Sequence, residues 1–177
     1  MPDMKKKYKE QIVPELKKKL GVNVMQVPKL KKIVVSTGVG TKMEKDAFTE
    51  AKNHLAAITG QLPVVTKAKK NVANFKLRAG MPVGVMVTLR GSMMYDFLDR
   101  FVHVALPRVR DFRGVPKKGF DKAGNYNLGV PDVSIFTEVD LEKIKYPLGL
   151  NITMVTSAKT DAEAKELLSM LEVPFAH

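Results

Sequence analysis

Two stretches of the chain place apolar residues three or four positions apart, which is the spacing of one helix face. Residues 46–59 end at Gly60, the residue type expected just beyond a helix C-terminus, and residues 92–105 stop before Pro107. Both stretches are therefore predicted to be amphipathic helices. Their apolar stripes are Phe48, Ala51, Leu55 and Ile58 in the first, and Met94, Phe97, Leu98, Phe101, Val102 and Ala105 in the second.

Two further helices are predicted near the ends of the chain. Thr160 and Glu163 have the spacing of a capping box, and apolar residues follow them at helical spacing. At the other end, roughly residues 3–20 also show a helical stripe, and Pro14 is expected to kink or shorten that helix. Its apolar face holds Tyr8, Ile12, Leu16 and Leu20.

Short runs with alternating or β-branched apolar residues predict strands. In residues 83–90 every second residue from Val83 to Leu89 is aliphatic, while the alternate positions are Gly84, Met86, Thr88 and Arg90. One face of this strand is expected to be buried and the other to be polar. The other predicted strands are residues 32–36, 63–66, 133–139 and 150–157.

The alternation also predicts how the elements assemble. Strands of a parallel sheet that is covered on both faces are apolar throughout, and these strands are not. An α+β fold is therefore predicted, with a mostly antiparallel sheet, helices packed on one face and an open polar face. That open face is expected to carry hydroxyl, amide and guanidinium groups.

Positive charge is concentrated in one interval of the chain. The whole sequence has 30 Lys+Arg against 18 Asp+Glu, a net charge of +12 and a pI near 9.8, and no acidic residue lies between Glu50 and Asp96. Because ordinary surfaces mix both signs, the interval indicates a polyanionic partner. Its basic residues are Lys52, Lys67, Lys69, Lys70, Lys76, Arg78 and Arg90.

A second basic segment, residues 107–129, contains several glycines and prolines and is predicted to be a long exposed loop. A solvated face is the ordinary interpretation of a charge run, and it suits the lysine-rich first twenty residues. A polar sheet face between basic loops can instead set hydroxyls and amides against ribose and phosphate oxygens. The combination predicts an RNA that is recognised through its shape and backbone.

The composition limits the other possibilities. A chain of 177 residues with 45% hydrophobic content can form one core, so a single domain over residues 1–177 is expected. The absence of cysteine suits a reducing compartment, and the cytoplasm is the expected location. No stretch has the pattern of a signal peptide or of a membrane span, so no membrane partner is expected.

Residues 36–42, STGVGTK, resemble a phosphate-binding loop only in part. They lack the Gly-Lys-Ser/Thr ending of a Walker sequence and the third glycine of a dinucleotide fingerprint. Gly38 and Gly40 are instead predicted to serve a turn that leaves a strand, or to let the backbone approach a ligand closely. We expect no enzymatic activity, metal or cofactor. The histidines are far apart in the sequence: His54, His103 and His177.

Four segments of the chain resemble one protein family: VMQVPKLKKIVVSTGVG (24–40), ITGQLPVVTKAKKNVANFKLRAGMPVGVMVTLRG (58–91), LPRVRDFRGVPKKGFDKAGNYNLGV (106–130) and GLNITMVTSAKTDAEAKELL (149–168). They are similar, over nearly the whole chain, to the bacterial form of universal large-subunit ribosomal protein five, the family that binds 5S rRNA. The resemblance implies a structural constituent of the large subunit that supports translation. The implied partners are 5S rRNA in the central protuberance, 23S rRNA, peptidyl-site tRNA and neighbouring ribosomal proteins, including a small-subunit head protein.

The resemblance also implies which residues contact 5S rRNA. Family members contact its backbone from the open sheet face, at positions that match Ser36, Gln61 and Thr88. Ser36 stands where the family usually has asparagine, so a single hydroxyl replaces a two-ended amide. The remaining residues expected in this contact are Thr37, Thr66 and Arg90.

The two basic loops are assigned by the same resemblance. The first, residues 66–80, matches a loop that reaches toward the elbow of peptidyl-site tRNA, and its order is expected to depend on RNA. Phe75 either stacks on that partner or anchors the loop to the body, and anchoring is the preferred interpretation. The tRNA candidates are Lys69, Lys70, Asn71, Phe75, Lys76 and Arg78. The second loop matches the portion that faces the small subunit and neighbouring rRNA, with candidates Arg110, Arg113, Lys117, Lys118, Lys122 and Asn127.

Two other classes of function share part of the pattern. A general RNA chaperone would have the same charge and sheet, but it would bind unrelated RNAs nearly as tightly as 5S rRNA. An enzyme acting on a phosphorylated substrate would need a concentrated set of titratable groups, and no motif in the sequence supplies one.

Overall fold

The computed structural model describes residues 4–40, 45–140, 144–146 and 148–176. His177 and the last two residues of the STGVGTK segment lie outside them. The strands are Leu30–Gly38 (β1), Val64–Lys67 (β2), Pro82–Leu89 (β3), Tyr126–Val130 (β4) and Leu150–Thr156 (β5). They form a five-stranded antiparallel sheet in the order β2-β3-β1-β5-β4. The predicted α+β fold class is confirmed.

The predicted helices are present. They are Met4–Lys7 (α1), Val13–Leu20 (α2), Lys45–Thr59 (α3), Gly91–Arg100 (α4) and Asp161–Met170 (α5). π-Helical turns at Tyr8–Ile12 and Phe101–Ala105 follow α1 and α4. Among the described residues, no helix is long and apolar enough to cross a membrane.

The ends of these helices follow their sequence signals. Gly60 adopts a left-handed φ of 69° after α3, and its N–H donates to the carbonyl of Ala56 at 2.9 Å. Before α5, the Thr160 hydroxyl accepts a hydrogen bond from the N–H of Glu163 at 3.4 Å. The Glu163 carboxylate in turn accepts from the N–H of Lys159 at 3.0 Å, close to the predicted capping box.

Pro14 does not end the first helix. The π-helical turn lies directly before α2, and the N–H of Val13 donates to the carbonyl of Tyr8. Pro14 therefore falls in the first turn of α2, where a missing N–H costs nothing. The expected interruption takes the form of a wider turn between two α-helical segments.

Two predictions of local structure are wrong. Residues 133–139 contain a 3₁₀ turn at Val133–Ile135 instead of a strand, and the Asp132 side chain caps it by accepting from the N–H of Ser134 at 3.0 Å. Conversely, β4 overlaps the end of the segment 107–129, for which the sequence predicts a long loop.

The chain divides into two compact units. The first contains residues 1–33, 90–128 and 153–177, and the second contains residues 34–89 and 129–152. Each has buried apolar residues: Phe97, Leu98, Leu167 and Leu168 in the first, and Leu55, Ile58, Val85 and Leu89 in the second, where α3 packs against β3. The prediction of one domain over residues 1–177 stays a prediction.

Candidate RNA-binding surface

In the second unit, side chains on one face of β1 and β3 are buried and those on the other face reach solvent. Val85, Val87 and Leu89 are at most 2% exposed, whereas Thr88 between them is half-buried. The same alternation places Ser36 of β1 on the half-exposed side, because Val35 is buried. The sequence therefore correctly predicts an open sheet face here.

β2 extends this face. It pairs with β3 in an antiparallel register in which Val64 is opposite Met86 and Thr66 is opposite Gly84. Directly opposed residues point to the same side of a sheet. Since Met86 is two residues from Thr88, the open face of this pair carries Val64, Thr66, Met86 and Thr88 in one continuous surface.

Gly84 brings β1 and β3 together at the centre of this surface. A Cβ atom at this position would lie 2.5 Å from the carbonyl oxygen of Thr37 and 3.3 Å from the Thr66 hydroxyl oxygen. Such a contact with a backbone atom requires a shift of the strand. Glycine is thus the residue that this strand pair accommodates.

Thr37 does not belong to the open face. Its side chain is 3% exposed, and its hydroxyl donates to the carbonyl of Gly149 at 2.7 Å. Ser36 and Thr37 are consecutive strand residues, so their side chains must point to opposite sides. The prediction that both contact RNA through this face is therefore corrected for Thr37.

The other predicted rRNA contacts are accessible. Gln61 is exposed, and its carbonyl accepts a hydrogen bond from the Thr59 hydroxyl at 3.2 Å, which fixes the turn between α3 and β2. Arg90 is exposed at the start of α4, in the first unit. The accessible residues Ser36, Gln61, Thr66 and Thr88 lie in the second unit, as does the buried Thr37.

The first basic loop is a hairpin that extends from β2 and β3. Ala68 donates to the carbonyl of Met81, and Gly80 donates to the carbonyl of Ala68, both at 2.9 Å. Farther out, Val72 and Leu77 exchange two backbone hydrogen bonds of 2.9 and 3.0 Å. The amide oxygen of Asn71 accepts from the N–H of Ala79 at 2.7 Å, so this candidate residue also holds the loop together.

The tip of the hairpin presents its cations to solvent. A 3₁₀ turn, Ala73–Phe75, ends at Lys76, which adopts a left-handed φ of 51°. Phe75 is 70% exposed, which favours stacking on a partner over anchoring by burial. The predicted cations of this loop are all exposed: Lys69, Lys70, Lys76 and Arg78.

In the first unit, the C-terminal residues hold the second basic segment in place. Val115 donates to the carbonyl of Pro174 at 2.7 Å and accepts from the N–H of Ala176 at 3.0 Å. Phe175 stacks on Phe120 with ring centroids 5.9 Å apart and meets Tyr126 edge-on at 5.5 Å. This part of the predicted loop is thus a fixed structure with a buried anchor at Val115, which is 2% exposed.

Polar contacts order the rest of that segment. The Asp121 carboxylate accepts from the side chain and the N–H of Asn125 and from the N–H of Ala123, and these hydrogen bonds lower its pKa. Burial raises the pKa of Tyr126 to about 12, so its hydroxyl stays protonated and donates to the carbonyl of Pro116 at 2.8 Å. The predicted cations are exposed around this frame: Arg110, Arg113, Lys117, Lys118 and Lys122.

Asn127, which the sequence places in the loop, lies in β4. Its side-chain oxygen accepts a hydrogen bond from the hydroxyl of Thr153 in β5 at 2.7 Å. Both residues belong to the first unit, and Asn127 is exposed. It is therefore an exposed strand residue, and the prediction that it belongs to a loop is wrong.

His54 and His103 both lie beside carboxylates. His54 on α3 lies 3.2 Å from a carboxylate oxygen of Glu50. His103 lies between the carboxylates of Asp99 and Glu172, each 2.9 Å from a ring nitrogen. No group of three or more His, Asp or Glu side chains that could hold a metal is found in the described part of the chain.

The sequence analysis placed Met86 on the open face but missed Val64 and Leu62 as its apolar neighbours. Val64 is 66% exposed and Met86 is 36% exposed, and Leu62, just before β2, is 71% exposed. The binding chemistry predicted for this face came from hydroxyl, amide and guanidinium groups, and no role was assigned to Met86. The alternation around Val87 already places Met86 on the wet side, which is the available signal.

Comparison with known proteins agrees with this architecture. Residues 23–78 match the family model described as ribosomal protein L5, and residues 82–175 match the model described as the C-terminus of that ribosomal family. The large ribosomal subunit protein uL5 of Geobacter sulfurreducens is 55% identical over the whole of both chains. The protein of the same name from Clostridium tetani is 51% identical over all of this chain and 99% of its own. The chain therefore belongs to the bacterial L5 family of ribosomal proteins.

Proposed function

We propose that this chain binds 5S rRNA through its open sheet face, as a structural constituent of the large ribosomal subunit in the cytoplasm. Membership of the family supports the role of a structural constituent of the large subunit, since L5 proteins are structural ribosomal proteins without catalytic function. The observation that supports 5S rRNA binding is the open face of β2 and β3, where Thr66 and Thr88 flank Gly84 and Met86.

The chemistry of this face suits an RNA backbone. Hydroxyl groups can donate to phosphate oxygens and accept from the ribose 2′-hydroxyl. The acid-free interval between Glu50 and Asp96 removes the repulsion that a carboxylate would exert on phosphates. Ser36 offers one hydroxyl in place of the family asparagine, so its contact is limited to a single donor and a single acceptor group.

The two basic segments are proposed as separate contacts. The hairpin of residues 68–81 would meet peptidyl-site tRNA through Lys69, Lys70, Lys76 and Arg78, with Phe75 stacking. The segment around Arg110 to Lys122 would face neighbouring rRNA and a protein of the small-subunit head. Exposed cations on hydrogen-bonded backbone segments suit both roles. The expectation that the order of the hairpin depends on RNA stays a prediction.

A competition assay tests the proposal against the RNA-chaperone alternative. The protein is bound to labelled 5S rRNA and challenged with unlabelled 5S rRNA, tRNA or poly-U. We expect only 5S rRNA to compete at comparable concentration, because the face recognises a folded RNA as well as its charge. Equal competition by poly-U would favour a general RNA chaperone.

Two substitutions test whether the sheet face, and not the hairpin, is the main contact for 5S rRNA. Thr88→Ala removes a hydroxyl from the sheet face and should weaken 5S rRNA binding about tenfold, the value of one hydrogen bond to a charged group. Lys76→Ala should weaken it less, because Lys76 lies at the hairpin tip. Thr137→Ala, which removes an exposed hydroxyl outside the sheet, is the control. Equal losses for Thr88→Ala and Lys76→Ala in a filter-binding assay would contradict this assignment.

A further inference from the structure

We propose that Leu62, Val64 and Met86 form an apolar contact for the ribose and base surfaces of the bound rRNA. This inference rests on the proposed function and adds a second kind of chemistry to it. The polar residues of the face hold the phosphate backbone, and the apolar residues hold the parts of the nucleotide that carry no charge.

The three side chains form one patch. Val64 and Met86 are directly opposed in the β2–β3 pair, so their side chains lie side by side on the open face. Leu62 is two residues before Val64 and is the most exposed of the three at 71%. Exposed large apolar residues that cluster in this way mark interaction sites more often than isolated ones do.

The surroundings of the patch indicate RNA as the occupant. Thr66 follows Val64 on the same face, Thr88 follows Met86, and Lys67 ends the strand. No acidic residue occurs between positions 50 and 96, which include both strands. An apolar patch within an acid-free basic surface complements a ligand that is anionic outside and apolar on its base faces and sugar carbons.

A second copy of the chain fits less well. Two copies would bring together surfaces of the same sign, on a chain with a net charge of +12. β2 lies at the end of the strand order, but it is only four residues long and its register shifts between Thr66 and Lys67. Short, irregular edge strands with lysine discourage edge-to-edge pairing.

The contact would also strengthen the neighbouring polar ones. A sugar or base that covers Val64 and Met86 excludes water from Thr66 and Thr88 on either side. Hydrogen bonds gain strength when the surrounding medium is less polar. The patch therefore contributes both its own burial and a drier setting for the hydroxyl contacts.

The test compares salt titrations of 5S rRNA binding for wild type and the double variant Val64→Thr/Met86→Gln. Both replacements preserve side-chain size and add a polar group. We expect affinity to fall about tenfold at every salt concentration, from the lost apolar burial. The slope of log affinity against log salt should stay unchanged, because no charge is removed. Arg90→Gln should instead lower that slope by about one.

Met93→Gln is the matched control, since Met93 is 40% exposed on α4 and Met86 is 36% exposed on β3. Circular dichroism and thermal melting should be unchanged in all variants, because every substituted side chain is exposed. An affinity of the double variant equal to that of Met93→Gln would overturn the apolar contact. So would wild-type dimers in sedimentation experiments that the double variant abolishes, because the occupant would then be a second copy.

The two levels of the proposal fail in different ways. Wild type could show no preference for 5S rRNA over tRNA, while the double variant still loses affinity for both RNAs with an unchanged salt slope. That result would support the apolar contact and contradict specificity for 5S rRNA. If wild type prefers 5S rRNA and the double variant retains its affinity, the result would support the proposed function and contradict the apolar contact.

Discussion

At the residue scale, Glu50 connects α3 to a distant part of the second unit. One of its carboxylate oxygens accepts from the N–H groups of Lys145 and Tyr146, at 2.9 and 3.3 Å, and lies 3.2 Å from His54. Burial alone would raise the pKa of Glu50. The hydrogen bonds from His54, Lys145 and Tyr146 outweigh burial and hold the pKa below 4.5. The charged form of Glu50 is therefore favoured by folding.

This linkage predicts a pH-dependent stability. A carboxyl whose pKa is lower in the folded state stabilises the protein above its unfolded-state pKa, and this stabilisation is lost as the pH falls through the folded-state value. Urea unfolding of wild type should show that loss below about pH 4.5. Glu50→Gln should reduce the pH dependence attributable to this site, since it keeps an oxygen acceptor without the charge.

Glu50→Ala should cost about 2 kcal/mol at pH 7, because two backbone N–H groups lose their acceptor. Glu10→Ala, which removes an exposed carboxylate from the first π-helical turn, is the control. A Glu50→Gln protein whose unfolding free energy follows that of wild type at every pH would contradict the role of this charge.

Ser36 and Thr37 show how far single residues could be predicted. Their hydroxyls are chemically similar, and a motif match does not separate them. Strand geometry does, because consecutive side chains point to opposite faces and Val35 is buried. The identity of the open face was predictable from alternation, whereas the use of the Thr37 hydroxyl, which donates to Gly149, depends on a contact with a residue far along the chain.

At the scale of elements, the C-terminal segment acts as a support for the second basic segment. A Cβ at position 114 would lie 2.5 Å from the backbone nitrogen of Ala176, so the two segments are in close backbone contact. The aromatic rings of Phe120, Tyr126 and Phe175 pack together beside them. The cations of this segment are therefore carried on a frame that depends on residues 174–176.

Phe175→Ala should loosen that frame. We expect amide hydrogen exchange in residues 112–122 to accelerate at least about tenfold, because the loss of a half-buried ring costs roughly 2 kcal/mol of local stability. Binding to 5S rRNA should stay near wild type, since the sheet face of the second unit is unchanged. Phe175→Tyr, which keeps the ring, should exchange like wild type. Equal acceleration throughout the chain would mean that Phe175 supports global stability instead.

The mispredicted elements have local causes. β4 has alternating Tyr126, Leu128 and Val130, but its glycine and the many glycines and prolines before it favour a loop. Its strand is completed by hydrogen bonding to β5, which no local pattern encodes. The strand predicted at 133–139 has apolar residues at Ile135 and Phe136 in succession, a spacing that suits a turn with both side chains buried.

At the scale of the whole molecule, an acid-free basic interval is separate from carboxylates that stabilise the fold. The acid-free interval contains the hairpin and two strands of the open face, while several carboxylates serve internal contacts, as Asp121 and Glu163 do. Long-range attraction to RNA then comes from the net charge of +12, and the fold keeps its acids where they stabilise turns and helix ends.

This distribution predicts a steep salt dependence. If about six phosphates are neutralised, affinity for isolated 5S rRNA should fall roughly a thousandfold between about 50 and 200 mM salt. Filter binding or fluorescence anisotropy over that range measures the slope directly. A nearly flat titration would mean that the cations are not in contact with the RNA backbone.

The close packing at Gly84 has a consequence for sequence variation. Every amino-acid substitution of a glycine codon adds at least one carbon, and here that carbon would press on the peptide group of Thr37. The strand pair under the proposed docking surface would be forced apart by the smallest change the genetic code permits. Among sequences that share this sheet, position 84 should consequently tolerate almost no drift, even where the surrounding side chains vary freely.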